Sequence, residues 1–243
     1  MKFVLRTLIV LLIVGCSSSK EDFKNRSPES IYKKAMNLMK EGDFEDAASE
    51  FKDIETLFPY SSKANEGQIL AAYCYFRASN YLDAVREIEV FLRYHPAHKL
   101  VPYAMYLRAM CAYMQVASVG RDSKMAADAK RAFSELANKF PDSEYYKDCL
   151  KKIIILDDII AAHEMAIGRD YQKKKSYLAA IGRYTFVETH LPHTEYAKEA
   201  FYRIAECCQI LNLKEEAKNA RDALEAQYPD SSWTKKAKLL IKG

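Results

Sequence analysis

The chain has 243 residues, enough for one large domain or two small ones, with 49% hydrophobic and 29% charged residues. This composition is typical of a folded globular body. The formal net charge of +4 falls to +2 without the first fifteen residues, which contain Lys2 and Arg6. A body this close to neutral lacks the basic surface that nucleic-acid binding requires.

The chain begins with a basic and then apolar segment. Lys2 and Arg6 precede an unbroken apolar run over residues 8–14, about half the ~20 residues that a membrane-spanning helix needs. Gly15, a small residue, follows the run. The pattern predicts a secretory signal peptide over residues 1–15, cut after Gly15.

The sequence IVGC at residues 13–16 resembles the lipobox of bacterial lipoproteins. The resemblance implies cleavage between Gly15 and Cys16 and covalent attachment of N-acyl and S-diacylglycerol lipid to Cys16, with no other cofactor. The alternative is an ordinary signal peptide followed by an incidental cysteine. Ser17, in place of an Asp, implies the outer membrane, and residues 16–26 would form a lipidated tether of about 35 Å at most.

Five similar phrases, each ending in a proline, divide the rest of the chain. The prolines are Pro59, Pro96, Pro141, Pro192 and Pro229. The residue twelve positions before each is an alanine: Ala47, Ala84, Ala129, Ala180 and Ala217. Positions eight and five residues before the prolines are apolar with one exception, Arg221. These spacings place one apolar stripe on a helix in every phrase.

Each phrase therefore predicts a helix–turn–helix pair. Gly42 can end a first helix, with Asp43 as the cap of the second, and Asn80 and Ser176 are the corresponding caps in later phrases. The proline ends the second helix, because the residue before a proline avoids the helical conformation. The pattern resembles the tetratricopeptide repeat, and the predicted fold is an all-α tetratricopeptide-repeat superhelix of five helix–turn–helix units.

The intervals between the prolines are 37, 45, 51 and 37 residues, so two repeats are longer than the others. The third contains an insertion, QVASVGRDSK, between its helices. In the fourth, residues 142–175 predict one helix of about 50 Å. We therefore expect N-terminal repeats 1–3 over residues 27–141. Residues 142–243 would then hold a stiff connecting helix, repeats 4 and 5 and a C-terminal capping helix.

Residue patterns typical of catalysis or metal binding are scarce. The pairs His95/His98 and His190/His193 lie at repeat-ending prolines and are interpreted as solvated turn residues, since no further ligands can be identified for a metal. Nothing places two carboxylates in one apolar cleft, so an enzyme is not expected. The five cysteines after Cys16 suit core packing, although a disulfide stays open.

A lipobox, a short tether and five repeats that nearly fill the chain resemble the BamD family of outer-membrane assembly lipoproteins. The segments HPAHKLVPYAMYLRAM, residues 95–110, and VGRDSKMAADAKRAFSEL, residues 119–136, carry the likeness most specifically. The family implies a non-catalytic scaffold of the BAM complex at the periplasmic face of the outer membrane. Its implied partners are the POTRA domains of a BamA-like barrel protein, other assembly lipoproteins and unfolded outer-membrane proteins, without nucleic acid.

The resemblance also implies site residues. Arg183 matches a basic residue of the family's BamA-facing region, whereas a second basic residue of that region falls on Thr189 here. Aromatic and arginine side chains are favoured anchors at interfaces. The candidates for a face that receives unfolded barrel segments are Tyr73, Tyr103, Tyr106 and Arg108.

Two other functions are alternatives. One is a different tetratricopeptide-repeat lipoprotein of the outer membrane, such as a pilotin or an envelope-division coordinator. Such proteins share the repeats but lack the long helix of repeat four and the VPYAMYLRAM segment. The other is a wall hydrolase, which would need the paired carboxylates that the sequence does not place together.

Overall fold

A computed structural model describes residues 26–119 and 123–241, which are built from helices and short turns. Eleven helices lie in this part of the chain. They are α1 Pro28–Glu41, α2 Phe44–Leu57, α3 Ala64–Arg77, α4 Tyr81–Tyr94, α5 Val101–Val119, α6 Ser123–Lys139, α7 Tyr146–Lys173, α8 Tyr177–His190, α9 Tyr196–Ile210, α10 Lys214–Gln227 and α11 Ser232–Leu240. None of these helices is both long and apolar enough to cross a membrane.

The helices pack in consecutive pairs, which confirms the predicted helix–turn–helix repeat. Helices α2, α4, α6, α8 and α10 each end two residues before one of the repeat prolines. The alanine twelve residues before each proline has no exposed surface in any of the five repeats. The alanine position that repeats in the sequence is therefore the position at which two helices pack closely, because only a small side chain fits there.

In repeats one, two, four and five, the turn between the two helices uses the same backbone geometry. Gly42, Ser79, Lys175 and Asn212 all have left-handed φ angles, of 96°, 62°, 61° and 61°. In each case the amide of the following residue donates to a carbonyl five residues back, as Asp43 N does to Leu38 O at 3.0 Å. This is the Schellman arrangement, which ends a helix sharply and lets the chain reverse.

The predicted caps are only partly correct. Gly42 takes the left-handed conformation, and the Asn80 side chain accepts from the amide of Asp83. Asp43 and Ser176 occupy the N-cap positions of α2 and α8, but neither side chain accepts a capping hydrogen bond. Asn80 caps α4 with nearly the same backbone angles, a φ of -85° and a ψ of 70°, so the backbone conformation does not account for the difference.

The long helix of repeat four exists but is shorter than predicted. Helix α7 has 28 residues, or about 42 Å, because residues 142–145 form the turn after Pro141. The insertion in repeat three is largely helical, since α5 continues to Val119 and α6 begins at Ser123.

The chain forms two compact units, which differ from the predicted grouping of repeats 1–3 and 4–5. The first unit ends at Pro96 and contains repeats one and two. The second begins at Ala97 and contains repeats three to five. Helix α7 packs on both α6 and α8, so it joins repeat three to repeat four within one unit.

Candidate partner-binding surfaces

The predicted lipidation site, Gly15 and Cys16, lies outside the described residues. In the first unit, Tyr73 belongs to an aromatic face on α1, α3 and the start of α2. Arg77 Nη1 donates to the Tyr73 hydroxyl at 2.7 Å, and the same guanidinium lies 4.5 Å from the ring centre of Phe44. On the same face, the Tyr32 hydroxyl donates to Glu66 Oε1 at 2.7 Å. The face combines half-buried aromatics with an exposed cation.

In the second unit, Tyr103 and Tyr106 lie together against α7. The Tyr106 ring is stacked on Tyr145 with centroids 4.8 Å apart, and the Tyr103 ring lies 5.9 Å from the same tyrosine. The Tyr106 hydroxyl donates to Asp148 Oδ2 at 2.8 Å. Burial and then this bond to Asp148 raise the pKa of Tyr106. Tyr106 is therefore part of the packing between α5 and α7 as well as a surface aromatic.

Arg108 lies on a different face of α5 from these tyrosines. It follows Tyr106 by two residues, which is about 200° around a helix. Its guanidinium donates to Glu135 Oε2 at 2.8 Å, and Lys139 binds the other oxygen of the same carboxylate at 2.7 Å. The bond from Lys139, with the charge of Arg108, lowers the pKa of Glu135 despite partial burial. Tyr73 lies in the other unit, so the four predicted substrate-face residues do not form one cluster in either unit.

Arg183 lies on α8 and pairs with an acid of α7. Its side chain is 44% exposed and Nη1 donates to Glu164 Oε2 at 3.1 Å. It is the only charged residue between Ser176 and Val187, and Leu178 and Phe186 on the same helix are exposed. The Thr189 hydroxyl donates to its neighbour Glu188 and carries no charge. Helix α8 thus exposes apolar side chains and, between Ser176 and Val187, a single charge, which is paired with Glu164.

A charged network between α7 and α9 was not predicted. Glu199 accepts from both Arg169 at 3.1 Å and Arg203 at 3.2 Å, and Arg203 also donates to Glu206 at 2.9 Å. Gln172 of α7 donates to the same Glu206 carboxylate at 2.6 Å. The spacing of four and three residues within α9 was a usable sequence signal for ion pairs along one helix face. The hydrogen bonds from Arg169 and Gln172 of α7 to this helix could be identified only from the tertiary structure.

Three of the turn histidines have a partner in the structure, two within their own turn or helix and one on a distant helix. His98 Nδ1 accepts from the Leu100 amide at 3.2 Å, and the His190 ring stacks on Phe186. His193 Nε2 lies 2.9 Å from Asp157 Oδ2. Over the part of the chain that the structure describes, no group of three or more His, Cys, Asp or Glu side chains is placed to hold a metal ion.

The five cysteines of the body are buried free thiols: Cys74, Cys111, Cys149, Cys207 and Cys208. Burial raises the pKa of each, to about 12 for Cys111 and Cys207. Core packing, the favoured of the two sequence interpretations, describes their state in the structure. A buried thiol that is not ionised is a poor nucleophile and a poor metal ligand.

The stacked helix pairs define the class of protein: a helical-repeat protein of the tetratricopeptide type, a fold whose stacked helices form extended surfaces. The model of a family described as YfiO, outer membrane lipoprotein, matches residues 24–222. The chain belongs to this family of outer-membrane assembly lipoproteins.

Similar proteins cover nearly the whole chain. An outer membrane protein assembly factor BamD of Rickettsia prowazekii is 34% identical over 97% of this chain and 94% of its own length. The BamD proteins of Caulobacter vibrioides and Neisseria meningitidis are each 29% identical, over 93% and 84% of this chain and 75% and 80% of their own lengths. A solved tetratricopeptide repeat protein from Parabacteroides merdae aligns over 88% of this chain and 73% of that chain with a TM-score of 0.42 and 12% identity.

Proposed function

We propose that the chain is a non-catalytic, lipid-anchored scaffold of the outer-membrane β-barrel assembly machinery, held at the periplasmic face of the outer membrane through lipid on Cys16. The observation that carries the proposal is the family relationship over residues 24–222, together with relatives named as outer membrane protein assembly factors.

Arg183 and its apolar surroundings are proposed to contact the POTRA domains of a BamA-like barrel protein. The cation is already paired with Glu164, but it is accessible and lies on a helix whose outer side has almost no other charge. An arginine within an apolar surface is a frequent anchor at protein interfaces, since it can stack and form several hydrogen bonds at once.

The test is affinity purification from detergent-solubilised membranes, with recovery of a barrel protein that carries POTRA domains. We expect Arg183→Glu to lower that recovery at least tenfold. Arg131→Glu is the matched control, because Arg131 lies on α6, is 79% exposed and also pairs with one acid, Asp128. Absence of such a barrel protein from the wild-type eluate would overturn the scaffold proposal, and equal recovery with both variants would overturn the role of Arg183.

The aromatic faces of the two units are proposed to receive unfolded barrel segments. Tyr73 with Arg77 in one unit, and Tyr103 with Tyr106 in the other, offer flat apolar surfaces next to polar atoms. A synthetic barrel-strand peptide should bind several-fold more weakly to Tyr103→Ala than to wild type. Tyr60→Ala is the control, because the Tyr60 side chain lies in a turn and is fully exposed.

The anchor is tested with Cys16→Ser. We expect the variant to lose its acyl label and to leave the outer-membrane fraction. Unchanged fractionation with an intact acyl band would contradict the proposed lipid attachment. The barrel-partner test does not depend on this result, because it is performed in detergent.

A further inference from the structure

Among the helices that the structure describes, none takes the place of a second helix beside the first half of α7, whereas the other first helices of the repeats have one. Helix α7 has 28 residues, whereas its partner α8 has 14. The hydrogen bonds with α8 lie in the second half of α7: Glu164 accepts from Arg183, and Gln172 accepts from Tyr184 at 2.9 Å. Helix α7 also packs on α6, and its first half, which includes the buried residues Cys149 and Leu156, is linked to α6 by the ion pair of Asp157 with Lys130.

The helical phase shows which side chains the missing helix would cover. Leu150 and Ile154 precede Gly168 and Gln172 by eighteen residues, which is about five turns of a helix. They therefore lie on the same face of α7 that meets α8 further along. Gly168 is buried there against Tyr184, but Leu150 is 41% and Ile154 is 53% exposed. We call the surface of Leu150 and Ile154 the open slot.

The open slot is closed at its C-terminal end, where Asp157 and Asp158 lie, and is bordered by two lysines along its N-terminal part. At its C-terminal end, buried Asp157 joins α6 to the turn after α8: Lys130 Nζ lies 2.5 Å from one carboxylate oxygen and His193 lies 2.9 Å from the other. Lys147 and Lys151, both exposed, lie one turn apart beside Leu150 and Ile154. Neither lysine has an ion-pair partner among the residues that the structure describes.

We propose that the open slot binds an amphipathic helix of a partner protein, with apolar side chains on Leu150 and Ile154 and acidic side chains toward Lys147 and Lys151. The repeat geometry dictates a helical occupant, because this face of α7 is the one against which α8 packs. The stretch of α7 from Tyr146 up to the closed end at Asp157 accommodates about three turns. The two lysines select an acidic helix by charge complementarity.

This inference goes beyond the proposed function and does not involve Arg183. A partner with POTRA domains can be recovered whether or not the open slot is occupied, so the two proposals fail separately. An occupied slot would add a second contact region to the scaffold. It would lie beside repeats three and four, where α7 leaves a second-helix position unfilled.

The test is photo-cross-linking in cells from the full-length chain, with a benzophenone amino acid at Ile154 and the trapped segment mapped by mass spectrometry. The control places the same group at Leu82, which is 76% exposed on α4, where a complete helix pair exists. We expect Ile154 to trap an acidic, amphipathic segment of another protein that Leu82 does not trap. The double variant Lys147→Glu/Lys151→Glu should lower the yield at least tenfold.

Three results would overturn the proposal: an adduct with a second copy of this chain, an adduct with an extended barrel strand, or a yield unaffected by the charge reversal. Absence of any adduct from Ile154, with the protein present at normal level, would overturn it as well. Both lysines are exposed, so the double variant should melt at the wild-type temperature. If it does not, Lys147→Gln/Lys151→Gln replaces it, with a loss of yield still expected.

Discussion

The contact between Gly168 and Tyr184 gives the sharpest prediction for the fold. The two residues meet where α7 and α8 cross most closely, and the Tyr184 ring is fully buried. A Cβ atom on residue 168 would lie 2.4 Å from Cε1 of that ring, 2.8 Å from Cδ1 and 2.9 Å from Cζ. Ordinary contacts begin near 3.4 Å, so the ring would have to move by about 1 Å. The Tyr184 hydroxyl donates to Gln172 at 2.9 Å, and this hydrogen bond restrains the ring from rotating away from residue 168.

We expect Gly168→Ala to destabilise the protein by about 1–3 kcal/mol. Overpacking a filled core costs about 1–3 kcal/mol, and disturbing the Tyr184 hydrogen bond costs about 1 kcal/mol more. The higher helix propensity of alanine offsets these costs by about 0.5–1 kcal/mol. For a chain of this length, a loss of 2 kcal/mol corresponds to a fall in melting temperature of roughly 6 °C.

The assay is thermal melting by circular dichroism, with Gly182→Ala as the matched control. Gly182 lies in the middle of α8, is exposed and would have no atom within 4 Å of an added Cβ. The control should therefore melt at or above the wild-type temperature. The double variant Gly168→Ala/Tyr184→Leu should lose less stability than the two single variants added together, because removing the ring relieves the clash. Melting of Gly168→Ala at or above the wild-type temperature would refute the reasoning.

Three further predictions concern the turns, the core and the thiols. Lys175→Gly should stabilise the protein by about 0.5–1 kcal/mol in urea denaturation, because glycine relieves a φ of 61°; a loss of stability would contradict this. Ala84→Arg should cost more than about 3 kcal/mol in the same assay, since it buries a charge at a fully covered helix contact; an unchanged midpoint would show that the alanine register is wrong. In a Cys16→Ser background, the native protein should resist iodoacetamide at pH 8 and react at five thiols after unfolding, because burial raises every thiol pKa; rapid labelling of the native state would disprove it.

The repeat register could be predicted from sequence because it depends on steric size at a fixed offset. A position that touches a neighbouring helix tolerates only a small residue, so Ala84 and its four equivalents repeat at the same distance from a proline. The proline itself marks the helix end by a local steric rule. Both signals lie within about a dozen residues of each other, so they can be recognised in the sequence without knowledge of the tertiary structure.

Three other features of the structure could not be predicted from the sequence, for different reasons. The left-handed positions follow the same offset logic, seventeen residues before a proline, but Ser79, Lys175 and Asn212 share no side-chain property that would identify them. The bridge from Lys130 through Asp157 to His193 joins residues far apart in sequence. The residue at which α7 begins was also not predicted, because residues 142–145 contain no strong helix breaker after Pro141.

The candidate substrate face was predicted by residue type, which does not distinguish a binding side chain from a packing one. Tyr106→Phe separates the two roles. The change keeps the ring stacked on Tyr145 at 4.8 Å but removes the hydroxyl that donates to Asp148 at 2.8 Å. A hydrogen bond to a charged acceptor contributes about 1.5–3 kcal/mol, and less where solvent reaches the pair, so we expect a loss of about 1–2 kcal/mol in urea denaturation.

Binding of a barrel-strand peptide by Tyr106→Phe should stay within twofold of wild type, because an apolar strand contacts the ring rather than the hydroxyl. Tyr103→Ala, which removes a ring, should weaken the same binding several-fold. A Tyr106→Phe variant that is as stable as wild type but binds the peptide weakly would reverse this assignment. The Tyr106 hydroxyl would then form a hydrogen bond with the bound peptide, and its bond to Asp148 would be made only when no peptide is bound.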